Sequence, residues 1–204
     1  MGSWNIYLPI KPTFNRKTRF ENWSSGKRSA LAKAMAIDVI NCLLLVEQIN
    51  SITIVGVDHK ELVQSNDPKV ESFIPSKLLG INSDVTEAVK YSQNIAVLLP
   101  DIPAITGLEI TTALMLAENQ PESFIADKSE QGSTFYAALQ RQNLQPAFGL
   151  GSALKHANQG AYKLDHECFI GIRSDCDNLM QLLSISPELI GPATKKFLQT
   201  QKKG

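Results

Sequence analysis

Cysteine is scarce in this chain. Only Cys42, Cys168 and Cys176 occur in 204 residues. An odd count with no metal-type spacing excludes a disulfide framework and a zinc ribbon, and it leads us to expect reduced, mostly buried thiols in a cytosolic protein. Long apolar runs are missing too. None exceeds the length of Cys42 to Val46, which falls far short of the roughly 20 residues of a membrane span. The early run from Ile6 to Ile10 is short and broken by Pro9, so it does not read as a signal peptide. An excess of either charge is also absent: 20 Lys and Arg balance 20 Asp and Glu. Bulk charge therefore gives no attraction for nucleic acid or a membrane surface. The expectation is a cytoplasmic protein with neither kind of partner.

What is present is an ordinary globular composition, 43% hydrophobic and 20% charged. The length suits one sizeable core, and a single domain over residues 1–204 is expected. The chain alternates strands and helices. Asn5–Ile10 reads as a first strand, and Ser24 or Ser25 caps a helix from about Lys27 to Gln48 with Leu31, Met35, Val39, Cys42 and Val46 on one face. Asp38 inside that helix is either a buried polar anchor or a solvent-facing residue. Ser51–Val57 is β-branched and reads as a second strand, and a short strand is expected around Phe73. Asn82 or Ser83 is expected to cap the next helix. Ile95–Leu99 reads as a buried central strand. Thr106 and Glu109 have capping-box spacing for a helix from Gly107 to about Glu118. Ser123–Asp127, a strand after Gln131, and Cys168–Ile172 complete the expected strands. This alternation argues for a mostly parallel sheet covered on both faces.

The central strand runs into Pro100-Asp101-Ile-Pro103. Proline fixes its own φ and pushes the preceding residue towards extended backbone, so Asp101 sits on a stiff segment. In open α/β sheets ligands bind beyond the carboxyl ends of strands. There Asp101 either holds a metal or caps a turn. Asp175 and Asp177 follow the last expected strand. Three carboxylates at strand ends suit a divalent cation that bridges phosphate oxygens. Lys11, Arg16, Lys17 and Arg19 lie within nine residues after the first strand; such a loop is a phosphate clamp or a solvated charge run. Gly149, Gly151 and Ser152 precede a helix and make either an anion site or a serine-capped turn. His156 is either a substrate contact or a partly exposed helix histidine.

In order and separation, these motifs resemble the CofC/FbiD guanylyltransferases of coenzyme F-420 biosynthesis, within the MobA-like nucleotidyltransferases. The resemblance spans about Ile6 to Thr194. It is carried by Pro9-Ile-Lys11, Lys17-Thr-Arg19-Phe, Leu79-Gly-Ile-Asn82, Leu99-Pro-Asp101-Ile-Pro103, Ser133-Thr134, Phe148-Gly149 with Ser152 and His156, Asp175-Cys-Asp177 and Gly191-Pro-Ala-Thr194. It implies a three-layer α/β/α, Rossmann-like fold, mostly parallel with an antiparallel strand. It implies that Asp101, Asp175 and Asp177 hold Mg²⁺, and that Thr134, Gly149 and Ser152 bind a small phosphorylated carboxylic acid. Lys11, Lys17 and Arg19 would contact the GTP phosphates, Lys17 and Arg19 acting with Asp101 in catalysis, and Asn82 would lie near the nucleotide.

Two departures stand out. The family's Thr-Pro and third Asp after the second aspartate motif are Asn178-Leu-Met-Gln181 here, and the glycine before its threonine is Ser133. The implied reaction is transfer of GMP from GTP to phosphoenolpyruvate, with 2-phospho-L-lactate and 3-phosphoglycerate as alternative acceptors. A non-catalytic nucleotide-binding protein is the alternative from another class. The glycine-rich first loop of the sugar and molybdenum-cofactor enzymes is absent.

Overall fold

The computed structural model describes residues 3–11, 20, 23–62, 67–89 and 93–201. Seven strands form one sheet: β1 (Trp4–Pro9), β2 (Ile49–Val55), β3 (Val70–Phe73), β4 (Gln93–Leu98), β5 (Glu122–Ala126), β6 (Ser133–Gln140) and β7 (Tyr162–Lys163). Their order across the sheet is β3-β2-β1-β4-β6-β5-β7. β3, β2, β1 and β4 are parallel, whereas β6 runs antiparallel to both β4 and β5. The helices are α1 (Ser25–Leu44), α2 (Ile81–Ala88), α3 (Gly107–Ala117), α4 (Ser152–Asn158), α5 (Leu179–Leu183) and α6 (Pro192–Gln201).

Period-two alternation sends side chains of each central strand to two cores. Ile6 and Leu8 of β1, Ala96 and Leu98 of β4, and Phe135 and Ala137 of β6 pack with Val39, Ile40 and Leu43 of α1 and Ile110 and Leu114 of α3. On the other face Tyr7, Ile95, Val97, Phe124 and Tyr136 pack with Val85 of α2 and Ala153 of α4. A sheet buried on both faces needs strands that are apolar nearly throughout, which is why Ile95–Leu99 was legible as a central strand. The three-layer, mostly parallel architecture with one antiparallel strand is the one expected. Among the described residues no helix is long and apolar enough to cross a membrane.

Local expectations divide. Ser24 caps α1, its Oγ accepting from the Lys27 amide at 3.3 Å. The Thr106–Glu109 capping box is present. By contrast, α2 starts at Ile81 after Gly80, and neither Asn82 nor Ser83 caps it; the Asp84 carboxylate reaches back instead to the amides of Leu79 and Gly80.

Cys168–Ile172 is not a strand. Its backbone amides turn inward to one buried carboxylate: Glu109 Oε1 accepts from Ile170, Gly171 and Ile172 at 2.8, 2.6 and 2.9 Å. Asp175 and Asp177 therefore sit in a loop, not at a strand terminus. Asp38 is the buried anchor of its two readings, accepting from the amides of Ala193 and Thr194 at the start of α6, both at 2.8 Å. Of the cysteines, Cys176 is buried and Cys42 and Cys168 are half-buried, all as free thiols.

Candidate active site

A cavity of about 490 Å³ opens at the carboxyl ends of β1 and β4, within the size range of small-ligand sites. Lys11, Asp101, Thr134, Gly149, Ser152, Asp175 and Asp177 all line it. Seven of the residues singled out from sequence thus meet in one place, although they span residues 11 to 177. Lys17 and Arg19 lie outside the described residues. Asn82 is not on the cavity wall. Its side chain clasps Phe148, donating to its carbonyl at 3.1 Å and accepting from its amide at 2.8 Å, and Phe148 does line the cavity.

The carboxylates are held by the backbone. Beyond β4, the Asp101 carbonyl accepts from the amide of Cys176 at 2.9 Å. That bond draws the Asp175–Asp177 loop against the Asp101 segment. Glu109 fixes the same loop from below. Its other oxygen, Oε2, accepts from the Thr106 amide and hydroxyl at 2.9 and 2.8 Å, so one carboxylate satisfies five donors. On the far side, Gln181 Oε1 accepts from the amides of Asp177 and Asn178 at 2.9 and 3.0 Å, and Asn178 caps α5. The Asn178–Gln181 pair is itself a capping box and starts that helix.

The opposite wall is a hairpin and a helix start. Asp127, at the end of β5, accepts from the Ser129 hydroxyl and the Gln131 amide through Oδ1 and from the Gly132 amide through Oδ2. A Cβ at position 132 would stand 2.4 Å from that carboxylate, so any other residue there would have to displace it. β6 then begins with Ser133 and Thr134 facing the cavity. The Ser133 amide donates to Ser152 Oγ at 2.7 Å, and the Ala153 amide to the Gln131 carbonyl at 3.2 Å. These two bonds staple α4 to the hairpin. Gly149 (φ 121°) and Gly151 (φ 68°) carry the turn into α4 with backbone that L side chains rarely adopt. The Thr134 hydroxyl is buried with no hydrogen-bond partner among the described residues.

His156 is not partly exposed but fully buried. Its ring stacks on Tyr136 and meets Phe148 edge-on. Nε2 accepts from the Ala147 amide at 2.9 Å and Nδ1 lies 3.0 Å from Ser133 Oγ. Burial, with the nearby Lys155 charge, pushes its pKa down to about 4, so the ring is neutral near pH 7. The residues missed from sequence are of this supporting kind. Glu109 was read only as a helix cap because the amides of residues 170–172 lie some 60 residues on; Asp127 drew no attention because it serves a turn with no sequence signature; and Gln181 was passed over although Asn178 and Gln181 have capping-box spacing.

Hard oxygen donors at one end and amides and hydroxyls at the other suit a ligand with several anionic groups. Among the described residues, no three or more His, Cys, Asp or Glu side chains gather closely enough to hold an ion by themselves. Mg²⁺ does not need that. It takes one or two carboxylates and fills its remaining positions with phosphate oxygens and water.

Comparison with known proteins bears on the family and the fold. Residues 4–170 match the family model described as guanylyl transferase, CofC-like. A phosphoenolpyruvate guanylyltransferase of Thermomonospora curvata is 29% identical, over 94% of this chain and 87% of its own length. One of Streptomyces scabiei is 28% identical, over 94% of each chain. A crystal structure from Desulfovibrio desulfuricans G20, put forward as a nucleotide-diphospho-sugar transferase, superposes with a TM-score of 0.70 over 100% of this chain and 96% of that one. At 13% identity it speaks for the fold alone.

Proposed function

Because the chain belongs to the CofC-like guanylyl transferase family, we propose that it transfers GMP from GTP to phosphoenolpyruvate, giving enolpyruvyl-diphospho-guanosine and pyrophosphate, as a step of coenzyme F-420 biosynthesis in the cytoplasm. The observation that carries this reading is the meeting of Lys11, Asp101, Thr134, Gly149, Ser152, Asp175 and Asp177 on one cavity.

In this reading a phosphate oxygen of phosphoenolpyruvate attacks the α-phosphorus of GTP. A new P–O bond forms, the bond from the α-phosphorus to the oxygen bridging to the β-phosphate breaks, and pyrophosphate leaves with that electron pair. The attacking phosphate is already anionic, so no proton has to be removed. This agrees with the burial of His156, whose two ring nitrogens are spent on Ala147 and Ser133. Catalysis then rests on positioning and on charge. Thr134, Ser152 and the Gly149 turn hold the acid. Lys11 stabilises the departing pyrophosphate, with Lys17 and Arg19 assigned to the same task. Asn82 acts on the nucleotide end through Phe148. One or two of Asp101, Asp175 and Asp177 would hold Mg²⁺, which when bound would offset the negative charge of the phosphates.

The test is pyrophosphate release from GTP and Mg²⁺ with phosphoenolpyruvate, 2-phospho-L-lactate or 3-phosphoglycerate as acceptor. Release with phosphoenolpyruvate alone is the expected result. Release with one of the others would keep the transferase and replace its substrate. GTP binding without release on any acceptor would overturn the reading in favour of a non-catalytic binder.

A further inference from the structure

The structure gives the Ser133 hydroxyl a defined hydrogen-bonding state. The Ala147 amide can only donate, so Nε2 of His156, 2.9 Å away, must be the accepting nitrogen. A neutral imidazole that accepts at Nε2 carries its proton on Nδ1. Nδ1–H therefore donates to Ser133 Oγ at 3.0 Å. The depressed pKa of His156 keeps the ring in this neutral form at working pH. Ser133 Oγ is thus an acceptor towards His156, and its own O–H hydrogen is left over. Ser133 is 2% exposed, and among the described residues its hydroxyl takes no other hydrogen bond. A buried donor with nothing to donate to is destabilising.

The surroundings point to what accepts it. Ser133 lines the cavity between Gly132 and Thr134, which line it too. The neighbouring Thr134 hydroxyl is likewise buried and without a partner among the described residues. The carboxylate nearest in sequence, Asp127, has its oxygens engaged by Ser129, Gln131 and Gly132. This stretch of wall offers unspent hydroxyl hydrogens beside the Gly149–Ser152 turn. Such a surface takes an anionic oxygen, not a cation.

We propose that Ser133 is a specificity-determining residue whose hydroxyl, oriented by His156, donates to an anionic oxygen of the small acid co-substrate and not to the nucleotide. The proposal rests on the guanylyl-transfer reading above for the identity of that acid.

The experiment compares the unaltered protein with Ser133→Ala and Ser133→Gly. KM for phosphoenolpyruvate and for GTP is measured with Mg²⁺, alongside calorimetric titration of phosphoenolpyruvate into the protein in the presence of GTP and Ca²⁺. Both variants remove the hydroxyl, and the glycine leaves room for water to take the His156 Nδ1 proton. KM does not depend on how much of a variant is folded, so partial unfolding does not imitate the effect. The expected result is a rise of about tenfold in KM for phosphoenolpyruvate, the equivalent of one hydrogen bond to a charged group, with KM for GTP changed less than twofold. An unchanged KM for phosphoenolpyruvate, or an equal rise for GTP, would overturn the proposal. If the unaltered protein turns over no acceptor, the guanylyl-transfer reading fails, and the titration alone decides. Weaker binding of phosphoenolpyruvate by both variants would then support Ser133 as its donor. Equal binding, or none by the unaltered protein, would overturn it.

Discussion

The amide of Cys176 donates to the carbonyl of Asp101 at 2.9 Å. This single backbone bond joins the segment leaving the central strand to the loop that carries Asp175 and Asp177. All three carboxylates stand on one cavity because main-chain groups are paired, which side-chain substitution leaves in place.

Replacing a carboxylate should therefore cost activity and spare the fold. Asp101→Ala is expected to lower pyrophosphate release by about 100-fold or more, in line with the loss of charge stabilisation at a transferring phosphoryl group. The melting temperature should stay within a few degrees of the unaltered protein. Near-normal turnover in the variant would remove Asp101 from the proposed metal set.

Glu109 should behave in the opposite way. Its carboxylate holds five donors, three of them the buried amides of residues 170–172. Glu109→Ala orphans those groups, and the expected loss of stability is about 3 kcal/mol or more, at the high end for a single substitution. Urea denaturation measures it. A shift below about 0.5 kcal/mol would mean that water replaces the carboxylate, since surface-like substitutions fall in that range.

Two glycines give a paired prediction of opposite sign. A Cβ at Gly171 would lie 2.0 Å from the Ala104 carbonyl oxygen, whereas one at Gly26, in the first turn of α1, meets nothing within 4 Å. Gly171→Ala should destabilise by roughly 2 kcal/mol or more, because backbone must shift. Gly26→Ala should raise stability by up to about 1 kcal/mol through helix propensity. Thermal melts of the two variants side by side check both signs, and a melting temperature unchanged in Gly171→Ala would contradict the first.

The buried histidine makes stability depend on pH in a defined window. In the unfolded chain its pKa returns to about 6.5, while in the fold it is about 4. Above pH 6.5 the ring is neutral in both states and its stabilising contribution is complete. As pH falls from 6.5 towards 4 the unfolded state gains the proton first, so stability drops, by about 3 kcal/mol in all if the full shift is realised. Below 4 this contribution levels off. Urea midpoints between pH 7.5 and 4, compared with those of His156→Phe, isolate the effect. Parallel curves for the two proteins would contradict a depressed pKa.

Much of this arrangement was legible in the sequence for a physical reason. Strands buried on both faces must be apolar throughout, so Ile95–Leu99 announced itself, and the proline-flanked Asp101 at its end followed from the same reading. Capping boxes are local, and the one at Thr106 and Glu109 was found. What was not legible is long-range pairing. The apolar stretch Cys168–Ile172 has strand composition, yet its amides serve Glu109, some 60 residues earlier. His156 looked partly exposed on a short helix, because nothing nearby in sequence tells that Tyr136, Phe148 and Ser133 close over it. Asp38 had two readings until the start of α6, more than 150 residues on, supplied its donors.

The reversed direction of β6 has an evolutionary consequence. Because it runs antiparallel to β4, its first residues arrive beside the last residues of β4, and the cavity is assembled from two units that backbone bonds join, the Leu99 amide to the Thr134 carbonyl and the Lys128 amide to the Arg173 carbonyl, both at 2.9 Å. Ser133, Thr134, Gly149 and Ser152 belong to a hairpin-and-helix unit stapled together by its own bonds, while Asp101, Asp175 and Asp177 belong to a unit braced by Glu109 and Gln181. Those joining bonds are main-chain bonds, so a side-chain substitution in the first unit leaves them in place. In the proposed assignment, a lineage of such enzymes can therefore change its small acid by side-chain substitution in one wall while the other wall keeps its nucleotide chemistry.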